Sequence, residues 1–316
     1  MGYDFWAEID KNKEFCSTVE NEKFLREEIN TFQMWKEWKN LKIKKSLRDK
    51  WKENGAKDTL KTYISEFDGL LNSIEDPAKM LMDVNMLPTF SWFLQFTFTL
   101  KKPFISKDDG ELHLYDNPIC REKIFRVPMV RPSTWKGNLR FAFRQTTGKI
   151  EVEERLFGNL KGEDDPEKLK SGRLYFFPTF FRSIDFEVIT PLGREKRIPT
   201  DKGPIFFEVV KENTKGTFTL LYVPFDIIGK PEKEVKKEVV QDLDLIVKAI
   251  KEMMLTYGFS AKKTSGFGVV KDDIPGCLLF KTFSAILREE TKSLADIESI
   301  PKKIVNALGV KNDFER

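Results

Sequence analysis

The chain has 316 residues with 40% hydrophobic side chains, enough for a sizeable core in one large or two ordinary domains. Charged residues make up 33%, yet the net charge is only +4, so there is no global basic field and any nucleic-acid surface must be local. Cys16, Cys120 and Cys277 form no CxxC pair and His113 is the single histidine, which argues against a Cys/His zinc site. Widely spaced cysteines in odd number fit a reducing compartment. The start, MGYDFWAEIDKNKEF, lacks the basic-then-apolar order of a secretory signal. No run of about 18 apolar residues is present, so a cytoplasmic protein with no membrane partner is expected. The 28 Phe are many, and Phe can fill cores or stack on bases.

Taken in order, residues 1–88 read as a helical extension. Phe24, Leu25, Phe32, Trp35, Leu41, Leu47 and Trp51 recur at roughly helical spacing. From Lys36 to Lys57 nine Lys/Arg face three acids, interleaved with Trp38 and Trp51. That fits an RNA or partner contact, and equally a solvated helical face over buried Trp. At 90–100, FSWFLQFTFTL, the period becomes two, with Trp92, Leu94, Phe96, Phe98 and Leu100 on one face of a strand. Further strands are expected at 172–181, 205–210, 216–225 and 277–287, and helices at 233–257 and 294–308. Pro178 suggests an edge or a bulge in the first of these strands. Residues 184–210 hold a polar, basic excursion with Arg194 and Arg197.

Residues 108–144 carry the chemistry. Asp108, Asp109, Glu111, His113 and Asp116 lie in a loop, and Asn117-Pro118 marks a turn. Ser133 or Thr134 is expected to cap the helix that follows Pro132. On it Lys136, Arg140 and Arg144 share one face at i, i+4 and i+8, and Leu139, Ala142 and Phe143 another. A helix start with a hydroxyl and basic residues suits phosphate; a solvated amphipathic face would look the same. Farther on, YGFSAKKTSGFG holds Gly258, Gly266 and Gly268 with Lys262, Lys263 and Ser265. Its backbone N–H groups can form an anion nest; a plain connecting loop after a helix is the alternative. The P-loop order is absent.

Counted from Phe90, strand, helix, strand, strand, helix, strand gives an α+β fold of the ferredoxin-like, RRM-like βαββαβ type. This requires an insertion at about 184–210 inside a domain of 89–316.

The loop DNPICREKIFRVPMVRPSTWKGNLR, the segment ERLFG, the strand GRLYFF, the run GPIFFEVVKENTKGTF and the loop GFSAKKTSGFG together resemble the RAMP superfamily of CRISPR-associated proteins. The helix start Pro132-Ser133-Thr134-Trp135-Lys136-Gly137-Asn138-Leu139-Arg140 matches a pattern typical of that family. The loop Asp116-Asn117-Pro118-Ile119 points further, to backbone subunits of type III (Csm/Cmr-like) effector complexes. The resemblance implies a subunit that binds guide RNA (crRNA) beside other type III subunits, with a hairpin thumb at 184–210. It implies that Asp116 cleaves complementary target RNA in a reaction dependent on a divalent cation, Mg²⁺ or Mn²⁺, leaving a 2′,3′-cyclic phosphate. The guide would lie on Ser133, Lys136, Arg140, Arg144, Arg194, Arg197, Gly258, Lys262, Lys263, Ser265, Gly266 and Gly268. Two alternatives stay open: a non-catalytic scaffold or capping subunit, and a guide-processing endoribonuclease using His113.

Overall fold

The computed structural model describes residues 84–107, 117–123, 127–159, 169–190 and 204–309, with Gly69. The helical segment expected over 1–88 lies, apart from Gly69 and 84–88, outside the described residues. The chain divides into two compact units. One takes Met1–Asp68, Ile105–Pro128 and Arg182–Lys211; the other takes Gly69–Phe104, Met129–Phe181 and Glu212–Arg316.

In chain order the elements are β1 (Trp92–Thr99), β2 (Met129–Val130), α1 (Pro132–Thr147), α2 (Ile150–Phe157), β3 (Leu174–Phe176) and β4 (Thr179–Phe180). There follow β5 (Asp185–Ile189), β6 (Ile205–Val209), β7 (Lys215–Tyr222), α3 (Glu232–Glu252), β8 (Gly276–Lys281), β9 (Ile286–Thr291) and α4 (Leu294–Leu308). The fold is α+β with antiparallel sheets.

The second unit is built on a five-stranded sheet of order β3-β7-β1-β8-β9. All its pairings are antiparallel. β1 is central, and the period-two reading explains why. Trp92, Leu94, Phe96, Phe98 and Leu100 are all buried, so one face is a continuous apolar wall. The opposite face is covered as well, where Phe93 packs with Val84, Cys277 and Leu279. Trp135 of α1 reaches down to this wall: its ring lies 4.9 Å from Phe218, 6.0 Å from Phe98 and 4.4 Å from Phe259. Its indole N–H donates to Thr179 Oγ1 at 3.1 Å, which satisfies the polar edge of a fully buried Trp.

Several sequence expectations shift. The strand expected at 172–181 breaks into β3 and β4 around Phe177-Pro178, because Pro cannot donate to a ladder; β3 is indeed an edge strand. The strand expected at 277–287 is two. Thr282 Oγ1 accepts from Ala285 N at 3.0 Å and folds 282–285 into a turn, so that β8 returns as β9. The strand expected at 216–225 ends at Tyr222, and a 3₁₀ turn, Phe225–Ile227, follows. The helix expected at 233–257 stops as α helix at Glu252 and widens into a π turn, Met253–Tyr257. ERLFG, for which no element was expected, forms the end of α2, with Val152, Leu156 and Phe157 on its buried side.

α2, β7 and α3 are tied by a buried polar network. Asp242 of α3 is fully buried. It accepts from Arg155 Nε at 2.9 Å, Arg173 Nη1 at 2.9 Å and Tyr222 Oη–H at 2.8 Å. Burial pushes the Asp242 carboxyl up, and the Arg155 and Arg173 guanidiniums pull it back. Burial, then Asp242 beside it, pushes the Tyr222 phenol well above its ordinary value.

In the first unit β5 and β6 form an antiparallel pair running from Asp185↔Val209 to Ile189↔Ile205. The chain after position 116 is pinned to β6. Glu208 N donates to Asn117 O at 3.1 Å, and Asn117 Nδ2 donates to Phe206 O at 3.2 Å. The buried Glu208 carboxylate accepts from Ile119 N at 3.1 Å and from Arg121 Nη2 at 3.0 Å.

Candidate nucleic-acid interface

α1 begins two residues earlier than a Ser133 cap requires. Pro132 is its first residue, Arg131 stands at the N-cap, and no side chain caps the helix. Proline is favoured at that place because its missing N–H is unsatisfied there anyway. Ser133 and Thr134 therefore sit inside the first turn, which corrects the capping role expected for them. Arg131 O accepts from Thr134 N at 2.9 Å and Trp135 N at 3.1 Å. Ser133 is exposed.

The three basic residues of α1 divide. Arg144 makes a bidentate pair with Glu153 of α2, both bonds 2.7 Å, and this bond raises its pKa. Arg140 donates to Gly158 O at 2.8 Å, lies over the Phe157 ring, and stands 3.4 Å from Glu153. Burial lowers its pKa, Glu153 raises it, and Arg144 lowers it again. Both arginines thus clamp α1 to α2, and a shared i, i+4, i+8 face does not mean a shared task. Lys136 is half-buried, and its ammonium is held below the ordinary lysine range by burial first and by Arg140 second. A destabilised cation of this kind gains most from an anion brought to it.

An exposed stripe runs beside Lys136: Ser133, Gly137 and Phe141, spaced by one helical turn. Among the described residues, a Cβ built at Gly137 would meet no heavy atom within 4 Å outside its own stretch of helix, so none of them requires glycine there. On the other flank Asn138 Nδ2 donates to Thr134 O at 2.8 Å and to Phe259 O at 3.2 Å, fastening α1 to the Gly-rich loop.

That loop is shaped by its own packing. Gly258 and Gly268 are buried and have φ of +71° and +74°. A Cβ on Gly258 would meet Phe267 O at 2.5 Å, and one on Gly268 would meet Ser260 Cβ at 2.5 Å. Gly258 N donates to Met253 O, Ser265 N to Lys262 O, Gly266 N to Lys263 O and Gly268 N to Pro103 O. These four N–H groups are already taken by carbonyls of the protein, so they are not available to an anion nest. What the loop presents is side chains: Lys262 and Ser265 are exposed, and Lys263 stands with its Nζ 4.8 Å from the Phe141 ring centroid. Burial lowers the pKa of Lys263 also.

Asp116, Asp108, Asp109, Glu111, His113, Arg194 and Arg197 lie outside the described residues. Among the described residues no group of three or more His, Cys, Asp or Glu gathers to hold a metal ion, and no helix is long and apolar enough to cross a membrane. Sequence reading missed Glu153, Asn138 and Phe141. Only Phe141 left a signal, as an aromatic off the Leu139, Ala142 and Phe143 face.

No curated protein matches the chain. Among solved structures it is similar to a chain of a type III-B Cmr-β complex bound to cognate target RNA, at 16% identity, covering 82% of this chain and 76% of that one, with a TM-score of 0.42. It is also similar to a chain of a Csm3–Csm4 subcomplex of a type III-A CRISPR-Cas interference complex, at 16% identity, covering 68% and 96%, with a TM-score of 0.40. A family model described as the RAMP superfamily matches residues 97–271, more than half of the sequence and inclusive of β1, α1 and the Gly-rich loop; the chain belongs to the RAMP superfamily.

Proposed function

We propose that the chain is a guide-RNA-binding subunit of a type III CRISPR effector complex, built on a ferredoxin-like βαββαβ core. The observation that carries it is the bare helix surface at Gly137, next to Lys136 in α1 and one helical turn before Phe141, over whose ring the loop residue Lys263 stands. A strip with no side chain beside cations lets a phosphate backbone approach the helix closely. Strand order supports the core: β3, β7, β1 and β8 are its second, third, first and fourth strands in space. An exposed apolar cluster of Met86, Phe225, Ile228 and Phe283 supports partner subunits, since assembly covers such patches.

With this goes the proposal that Asp116 cleaves complementary target RNA with Mg²⁺ or Mn²⁺. RNA supplies its own 2′-OH nucleophile. A carboxylate beside it has two uses, holding a hard cation or taking the hydroxyl proton. Asn117, the next residue, is held by β6 at both its carbonyl and its amide.

Two experiments test these readings. Binding of labelled single-stranded RNA to the full chain is followed by anisotropy across a salt series. Lys136→Ala should weaken binding and reduce the salt slope by about one; an unchanged slope removes Lys136 from the RNA path. The complex reconstituted with guide, target and Mg²⁺ is then compared with Asp116→Ala on a sequencing gel. Products lost with guide binding intact support cleavage by Asp116. Guide-precursor cutting unaffected by Asp116→Ala but lost in His113→Ala favours guide processing by His113. No products from either protein leave a scaffold or cap.

A further inference from the structure

α1 buries its apolar residues thoroughly. Trp135, Leu139, Ala142 and Phe143 are each 0% exposed, whereas Phe141 is 41% exposed. Its ring is not loose on the surface. Tyr257, the last residue of the π turn, meets it edge to face at 5.3 Å and 83°, and the Lys263 ammonium stands 4.8 Å from its centroid. The wide turn that ends α3 thus sets Tyr257 beside α1 just before the chain turns into the Gly-rich loop. π turns of this kind concentrate at functional sites. One helical turn before Phe141, about 6 Å away along the axis, lies the bare surface of Gly137.

We propose that Phe141, supported by Tyr257 and flanked by Lys263, is a stacking platform for one nucleobase of a single-stranded RNA whose backbone crosses α1 at Gly137. The proposal rests on the RNA-binding reading and adds a base contact to it. An exposed ring offers a π-face that any base can use, so the platform fixes the position of a nucleotide without reading its identity. The Lys263 ammonium lies over one face of the ring, so the base takes the other, and the cation adds attraction for the phosphates on either side of the stacked base. The edge-to-face Tyr257 holds the ring in place, so less side-chain freedom is lost on binding.

The test compares the full chain with Phe141→Ala and Phe141→Trp, by anisotropy, on a labelled oligoadenylate and on an abasic RNA of the same length. Phe141→Ala should weaken the oligoadenylate roughly five- to a hundredfold. It should leave the abasic backbone unchanged and shift the oligoadenylate salt series in parallel, since no phosphate contact is lost. Phe141→Trp should restore binding. An equal loss on both RNAs, a changed salt slope, or no loss on either overturns the platform while leaving RNA binding itself in place. A wild-type chain that binds neither RNA overturns the RNA reading and the platform together. Melting curves that superimpose for the three proteins confirm that an exposed side chain was changed without damage to the fold.

Discussion

Gly137→Ala separates stability from function at one position. Glycine inside a helix costs about 0.5–1 kcal/mol relative to alanine, through extra freedom in the unfolded chain. The residue lies in the middle of α1, with no positive φ, and among the described residues the added methyl would meet no heavy atom within 4 Å outside its own stretch of helix. Alanine should therefore stabilise the protein by nearly that full amount. For a unit of this size one kcal/mol raises Tm by about 2–4 °C, so a rise of roughly 1–4 °C is expected. RNA binding should move the other way. A methyl where a backbone passes closely forces one charge-assisted contact to lengthen, and losing such a contact costs about 1.5–3 kcal/mol, or at least roughly tenfold in affinity. Calorimetry or a thermal melt reads the first effect and anisotropy on single-stranded RNA the second. A higher Tm with unchanged affinity would refute the claim that the bare surface exists for a ligand. A lower Tm would refute the helix geometry on which the claim stands.

Three further outcomes are expected. Arg144→Ala should reduce RNA affinity by less than about threefold, because Glu153 already neutralises that guanidinium, whereas Glu153→Gln should strengthen binding and lower stability by about 1–3 kcal/mol; anisotropy and urea titration check both. Asp242→Asn should destabilise by about 3–5 kcal/mol, since it leaves Arg173, 3% exposed, without its buried counter-charge; an unfolding free energy from urea titration within about 1 kcal/mol of wild type would show that Asp226 and Glu238, which also pair with Arg173, suffice for that arginine. The Asp296 carboxylate, which accepts from Lys292 N and Ser293 N at 2.9 Å each, has a lowered pKa chiefly from these bonds. Its folded pKa lies below the unfolded one, so its capping contribution is present above about pH 4 and fades as pH falls through the lower folded value. Asp296→Asn should flatten the stability profile between about pH 2 and 5, measured by urea unfolding at each pH.

The sheet was legible where one physical rule dominated. β1 alternates so strictly that Trp92, Leu94, Phe96, Phe98 and Leu100 could occupy only one face, and α3 repeats its apolar residues at helical spacing over its whole length. Ends were harder. The break before β4 comes from Pro178, which was noticed, but the turn between β8 and β9 comes from the hydroxyl of Thr282, a local bond with no periodic signature. α2 was hidden for the opposite reason. It is only eight residues long, and its register depends on Arg155 finding Asp242 across 87 residues of chain.

The candidate site shows how far a face is from a function. Lys136, Arg140 and Arg144 satisfy the same spacing rule, and from sequence they are equivalent. Glu153 breaks the equivalence, because its buried carboxylate holds both arginines against α2 and, among the described residues, leaves Lys136 as the basic residue of α1 without a carboxylate bonded to it. The glycines divide in the same way. Gly258 and Gly268 are required by the loop itself, since a Cβ at either would collide with backbone or side-chain atoms at 2.5 Å. Gly137 is required by none of the described residues. A glycine that no described residue requires, next to a cation weakened by burial and an aromatic ring left in solvent, is the set of features that the proposed path of a single-stranded RNA would use.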